Sequence, residues 1–218
     1  MTKIKICGLR TLEDALFAHH AGADALGFVI DVPVKTPRKI TSQTAQLIIS
    51  KLPPYALTVG VIMPKDIQSV LQIIKKTQID TIQIHGNSSV ALIHELKEKI
   101  QIKLIRSFSI ASDTNVTATI NAIEDYIEHG IGAILLDTQG AENAGGTGQK
   151  HDWNKSREIK ESIDCPIILA GGLTPENVVD AIRVVEPYAV DVASGVESSP
   201  GVKDYQKITD FIQNVRNS

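Results

Sequence analysis

Two side chains stand out for the chemistry they offer together. Cys7 closes the short run KIKIC and is followed at once by Gly8 and a polar turn. Asp137 closes AILLD, and a polar loop then rises to Gly145, Gly146 and Gly148. A thiol near a cation or a helix N-terminus favours its thiolate and becomes a base or nucleophile. A carboxyl at the tip of a buried strand can donate or accept a proton. Set across one mouth, the two make an acid–base pair. Each also has a plainer reading, since strand cysteines are usually small buried hydrophobes and strand-end aspartates often cap turns. Cys165 begins rather than ends its apolar run, so it reads as structural.

Other residues suit an anionic ligand. Arg38, in VKTPRK, lies in a loop after the second apolar run and is steadied by Pro37; its planar fork suits a carboxylate. His85 follows Gln83 in IQIHG and is expected to line the mouth, where Arg106, at the end of IKLIR, would add positive potential. Three glycine clusters come late in the chain: GGTG at 145–148, AGGLTPEN at 170–177 with Gly172, and SGVESSPG at 194–201 with Gly195. Loops of this kind, placed beside a helix N-terminus, hold phosphate. All three loops, following the sixth, seventh and eighth strand-like runs, are candidates for that role. A phosphorylated small molecule is the ligand they imply.

These residues must be positioned by a repeating unit. Strand-like runs at 3–7, 24–30, 56–62, 80–84, 102–106, 132–137, 165–170 and 189–193 alternate with helical segments starting near Thr11, Thr41, Asp66, Ser88, Val116, Asp152, Pro175 and Lys203. Eight such units at about 27 residues each predict an α/β fold, a single (βα)8 TIM barrel with short loops, forming one catalytic domain over residues 1–218. Gly22 and Gly130 mark the ends of helices one and five, and Thr174-Pro175 marks a helix start. The weakest stretch is 107–120, where loop or an ill-formed turn is expected before helix five. An open doubly wound sheet is the rival, but Cys7-Gly8-Leu9-Arg10 after the first strand carries no dinucleotide fingerprint. Closure makes its own prediction. Residues two apart share a face, so Lys5 lies inside the barrel below Cys7 and needs a partner. Asp191, on the strand that would neighbour the first, is that partner.

Composition narrows the remaining classes. The chain has 218 residues, 43% hydrophobic and 22% charged, with a net charge of -3. That balance argues against nucleic acid and acidic membrane surfaces. Two cysteines and scattered histidines make neither a disulfide scaffold nor a metal cluster. The first residues do not read as a signal peptide, and no apolar run reaches spanning length, so the expectation is a cytoplasmic protein.

The ordered set KIKICGLR, GADALGFV, TPRKI, IQIHG, LLDT, GGTGQKHDW, AGGLTPENV and DVASGVESSPGVKD resembles the phosphoribosylanthranilate isomerase family of tryptophan biosynthesis. The resemblance implies a (βα)8 barrel performing an Amadori rearrangement without metal or cofactor; the expected state, monomer or homodimer, is not fixed by the sequence. It further implies Cys7 as general base, Asp137 as general acid, Arg38 at the anthranilate carboxylate, Gly172 and Gly195 at the phosphate, and His85 in the site lining. The chain departs from the usual pattern in a longer loop between Gly27 and Arg38, in Thr36 and Ala193, and in Gln149-Lys150-His151. A histidine-biosynthesis isomerase of similar chemistry is the nearest alternative, although its first strand usually supplies aspartate. A synthase would want a catalytic lysine at the mouth, and Lys5 is too deep. A non-catalytic phosphosugar-binding barrel is the alternative from another class.

Overall fold

The computed structural model describes residues 1–138 and 152–218. Among these residues eight barrel strands alternate with eight helices: β1 Lys3–Ile6, α1 Leu12–Ala21, β2 Ala25–Ile30, α2 Ser42–Ile49, β3 Thr58–Ile62, α3 Ile67–Thr77, β4 Thr81–Ile84, α4 Val90–Lys99, β5 Lys103–Ile110, α5 Val116–Glu128, β6 Ala133–Thr138, α6 Trp153–Ser162, β7 Ile167–Leu169, α7 Val178–Val185, β8 Ala189–Val192 and α8 Tyr205–Arg216, and a two-residue strand, Lys39–Ile40, pairs in parallel with the end of β2. Each strand pairs in parallel with the next, and β1 pairs with both β2 and β8, so the sheet closes. This is a (βα)8 barrel. An antiparallel pair, Glu197–Ser199 with Val202–Lys203, follows β8.

Helix starts follow from local capping chemistry. Thr11, Thr41, Asp66, Ser89, Asn115, Asp152 and Asp204 each accept a backbone N–H of the first turn through a side-chain oxygen. Gly22 ends α1 in the left-handed conformation, with φ 106°. Two boundaries differ from the sequence expectation. α7 does not start at Pro175: Asn177 Oδ1 accepts from the Thr174 N–H at 2.8 Å, making 174–177 a turn that delays the helix to Val178. The 107–110 stretch is strand, because Ser107 to Ile110 continue the β6 ladder opposite Leu135 to Thr138.

That longer β5 corrects the placement of Arg106, which lies within the strand. Its guanidinium lies over Phe108 and Tyr126, at 5.3 and 5.1 Å from the ring centroids, and Nη1 donates to the Ile84 and Ser107 carbonyls. Arg106 is therefore buried against α5, and its positive charge acts on His85 from there.

Strand parity divides the core in two. Ile4, Ile6, Leu26, Phe28, Ile82, Ile84, Leu104, Ile134 and Leu136 face the helices. Val59, Ile105, Leu135, Ile168, Ala170 and Ala189 fill the barrel. Above that apolar plug the interior turns polar. Lys5 lies opposite Asp191, and its Nζ donates to both carboxylate oxygens at 3.0 Å. The pair expected from closure is present. Burial alone would lower the Lys5 pKa, but Asp191 and Cys7 outweigh it and the net shift is upward. Removing one member of a buried pair strands the other charge, at about 3–5 kcal/mol. Lys5→Met should therefore lower the unfolding free energy by about that amount in a denaturant titration.

Candidate active site

Asp137 sits near the C-terminal end of β6, one residue from its last. It is partly buried, and Gly171 in the loop after β7 makes room for it. A Cβ at Gly171 would lie 2.8 Å from Asp137 Oδ1 and 2.3 Å from the Thr138 amide nitrogen. Gly171 also has φ +80°, so a side chain there would be strained as well as obstructed. Burial, then the Asp191 charge, push the Asp137 pKa up to about 6; the Thr138 backbone and Lys5 oppose the shift. An acid of this kind holds a proton on roughly a tenth of molecules at pH 7 and gains more as water leaves the site.

Cys7 continues β1 by one residue, its N–H donating to the Val192 carbonyl at 2.8 Å. It faces the interior above Lys5, as parity predicts. The floor beside it is Gly27 of β2, where a Cβ would come within 2.8 Å of Cys7 Sγ. Burial raises the thiol pKa, Lys5 and Lys203 pull it down, and Asp191 pushes it up; the net shift is upward. The resting group is thus the thiol. This corrects the expectation of a thiolate favoured by a nearby cation: the cations are present, but burial and Asp191 outweigh them. Asp191 and Lys5 act on Asp137 as well as on Cys7, so the two candidates overlook one buried ion pair. Gly27→Ala should displace the sulfur and lower kcat by about 10- to 100-fold, with less effect on KM, in steady-state kinetics.

Arg38 stands in the loop after β2, its stem laid over the turn that follows Cys7: a Cβ at Gly8 would meet Arg38 Cδ at 2.7 Å. Its Nε and Nη2 donate to Glu197 Oε1 and Oε2 at 2.8 and 2.7 Å. Sequence reasoning placed Arg38 but missed Glu197 and its second partner, Lys203. The available signal was Glu and Lys flanking the SSPG turn, where they form a cross-strand pair with Nζ to Oε1 at 3.1 Å.

His85 follows β4, its N–H bonded to the Ile62 carbonyl at 2.9 Å. Burial, then Arg106 and Lys5, lower its pKa, so the imidazole is neutral at pH 7. Gln83 faces inward two residues below, with Nε2 donating to Ser107 Oγ at 3.2 Å.

Gly171 and Gly172 both have positive φ, +80° and +66°, which suits glycine alone. Asn177 Nδ2 holds the Gly172 carbonyl at 2.9 Å. After β8 the chain makes a short 3-10 turn, Ser194–Val196. A Cβ at Gly195 would strike the Leu173 carbonyl oxygen at 1.9 Å, so the two glycine loops touch through bare backbone. The GGTG segment lies outside the described residues, as do Gln149, Lys150 and His151. Among the described residues, no group of three His, Cys, Asp or Glu is placed to hold a metal ion. No helix among them is long and apolar enough to cross a membrane.

The family model for N-(5'phosphoribosyl)anthranilate (PRA) isomerase matches residues 4–214. The chain belongs to the phosphoribosylanthranilate isomerase family. A relative of that family from Methanosarcina acetivorans is 44% identical over 223 residues, covering 99% of this chain and 93% of its own. One from Haloarcula marismortui is 42% identical over 216 residues, covering 99% and 97%. The crystal structure of the isomerase from Thermotoga maritima superposes with a TM-score of 0.87 at 36% identity, covering both chains completely. Another isomerase structure, in complex with reduced 1-(o-carboxyphenylamino)-1-deoxyribulose 5-phosphate, superposes at 0.84 and 35% identity, again over both whole chains. In this barrel Cys7 and Asp137 lie at strand ends, and Arg38 and the glycines of 171–172 and 195 lie in the loops that follow strands.

Proposed function

We propose that Asp137 is the general acid and Cys7 the general base of the Amadori rearrangement this isomerase performs. The reaction converts N-(5-phosphoribosyl)anthranilate to 1-(2-carboxyphenylamino)-1-deoxyribulose 5-phosphate. Asp137 gives its proton to the ribose ring oxygen as the C1′–O bond breaks, and the anilino nitrogen supplies electrons to form an iminium. Cys7 as thiolate then takes the C2′ proton, and those electrons neutralise the iminium to give an enolamine. Tautomerisation of the enolamine yields the ketone. The observation that carries this reading is the elevated Asp137 carboxyl facing the same buried Lys5–Asp191 pair as Cys7.

The competent pair is Asp137-COOH with Cys7-S⁻, whereas the order of the two pKa values, the thiol above the carboxyl, favours carboxylate with thiol. These two forms carry the same number of protons, so their ratio follows the pKa gap rather than pH. With Asp137 near 6 and the buried thiol pushed up from its ordinary value, the competent form is the minor one before substrate binds. Substrate moves that ratio. Closing the mouth removes water from Asp137 and raises its pKa further. The iminium formed on ring opening joins Lys5 and Lys203 in attracting the thiolate.

Arg38 grips the anthranilate carboxylate, His85 lines the aromatic end as a neutral ring, and the loops at Gly172 and Gly195 hold the phosphate. Backbone free of Cβ atoms at those glycines supports this, because N–H groups can approach an anion closely. The remote contacts fix C1′ and C2′ between acid and base. The reading needs no cofactor or metal, treats residues 1–218 as one catalytic domain, and places the reaction in the cytoplasm. Incubation with phosphoribosylanthranilate should extinguish its fluorescence and yield the deoxyribulose product by NMR. A protein that binds the product but never consumes substrate would instead be a phosphosugar-binding barrel.

A further inference from the structure

Arg38 does not reach the mouth unaccompanied. Its guanidinium has two edges that can bind a carboxylate side-on, Nε/Nη2 and Nη1/Nη2. The first is taken by Glu197, at 2.8 and 2.7 Å. Glu197 in turn has little freedom. Its carboxylate also accepts from Lys203 Nζ at 3.1 Å and the Gly201 N–H at 3.1 Å, and its own carbonyl accepts from Lys207 Nζ at 2.9 Å. Its side chain is only 4% exposed. Lys203 is anchored in the other direction by the Ala193 carbonyl at 2.8 Å, next to the Ser194–Val196 turn. Burial would raise the Glu197 pKa, but its bonds to Arg38, Lys203 and Gly201 hold it below the usual carboxylate range, so the group is a fixed anion.

We propose that Glu197 is a positioning and specificity residue: by holding the Nε/Nη2 edge of Arg38, it presents the Nη1/Nη2 edge to an aromatic carboxylate. This rests on the reading of Arg38 given above. A lone arginine on a loop samples many rotamers and loses that freedom on binding. An arginine already clamped on one edge meets the second carboxylate in a single orientation. The anion on the far edge also neutralises part of the guanidinium charge. Recognition therefore depends on the geometry of the free edge as well as on Coulomb attraction.

The test measures discrimination rather than overall affinity. Dissociation constants would be determined for the reduced carboxyphenylamino-deoxyribulose phosphate and for its congener lacking the ring carboxylate. Wild type should prefer the carboxylated ligand by about 100-fold, the range of a charged hydrogen-bonded pair. Arg38→Ala should bring that ratio near one. Glu197→Gln and Glu197→Asp should each cut it by about tenfold while the congener's constant stays within about twofold. If both Glu197 variants keep the wild-type ratio while Arg38→Ala abolishes it, the positioning role is wrong and the Arg38 reading survives. If Arg38→Ala keeps the ratio, that reading falls and the inference with it. Equal weakening of both ligands by the Glu197 variants would mean a merely structural role and would also overturn the proposal. Glu197→Gln leaves Lys203 and Arg38 without their anion, so a circular-dichroism melt accompanies it. Should it not fold, Glu197→Asp, which keeps the charge but shortens the reach, decides the matter.

Discussion

Cys7→Ser should lower kcat by about 1,000-fold and leave KM nearly unchanged. Serine fits the space beside Gly27 and its oxygen can accept from Lys5 as the sulfur does, so the substrate still finds its phosphate and carboxylate contacts. The serine hydroxyl, however, cannot supply an alkoxide near neutral pH. Lys5 and Lys203, which pull the buried thiol toward its thiolate, have far too little leverage on a hydroxyl. The C2′ proton then has no acceptor. A kcat close to wild type would remove Cys7 from the chemistry, and a large change confined to KM would reassign it to binding. Steady-state loss of phosphoribosylanthranilate fluorescence distinguishes these outcomes.

Asp137→Asn should have two effects of opposite value. Activity falls by about 100- to 10,000-fold, because the amide has no proton to give the ribose oxygen. Stability rises at neutral and alkaline pH. The Asp137 pKa is raised from 3.8 to about 6, so the folded state holds this proton more tightly than the unfolded chain. Its favourable contribution is complete below about pH 3.8 and is lost as pH rises through about 6. Above that, the folded protein carries a carboxylate it disfavours. Neutral asparagine avoids this, and the gain at pH 8 should be about 2 kcal/mol, allowing for the partial exposure of the site. It should vanish near pH 4. Chemical denaturation at the two pH values measures it, and no gain at pH 8 would mean that Asp137 is an ordinary solvated carboxylate. The combination of lost activity with gained stability marks a group kept for function at the expense of the fold.

Much of this was legible in the chain. Strand count and parity led to a closed barrel with Lys5 against Asp191, because alternation has only two faces and a buried lysine needs an anion. Cys7 and Asp137 followed from strand ends, where this architecture gathers its functional groups. Three kinds of information were not legible. The β5 strand continues to Ile110 through serines at 107 and 109, which resemble loop but pair opposite Leu135 and Asp137. Alternation with the inward Ile105 puts Arg106 on the outer face. The protonation of Cys7 depends on a balance between burial, two lysines and an aspartate that no linear spacing encodes. Glu197 is 159 residues from Arg38, and only closure of the barrel brings the antiparallel pair after β8 over the loop after β2. The neighbouring glycines make the same point. Gly27 and Gly171 read as ordinary strand and turn glycines until their missing Cβ atoms are seen to leave room for Cys7 and Asp137.

The most direct test of the acid–base assignment is turnover of phosphoribosylanthranilate by the double variant Cys7→Ser/Asp137→Asn, compared with wild type and each single variant at saturating substrate. Acid and base serve one reaction coordinate, so losses should fall well short of multiplying, as for other residues that act as a unit. The account predicts a double variant no more than about tenfold slower than the worse single variant, with the reduced product still binding at near wild-type affinity. A double variant that retains more than about a tenth of wild-type kcat would contradict it and place the chemistry on other residues of the mouth.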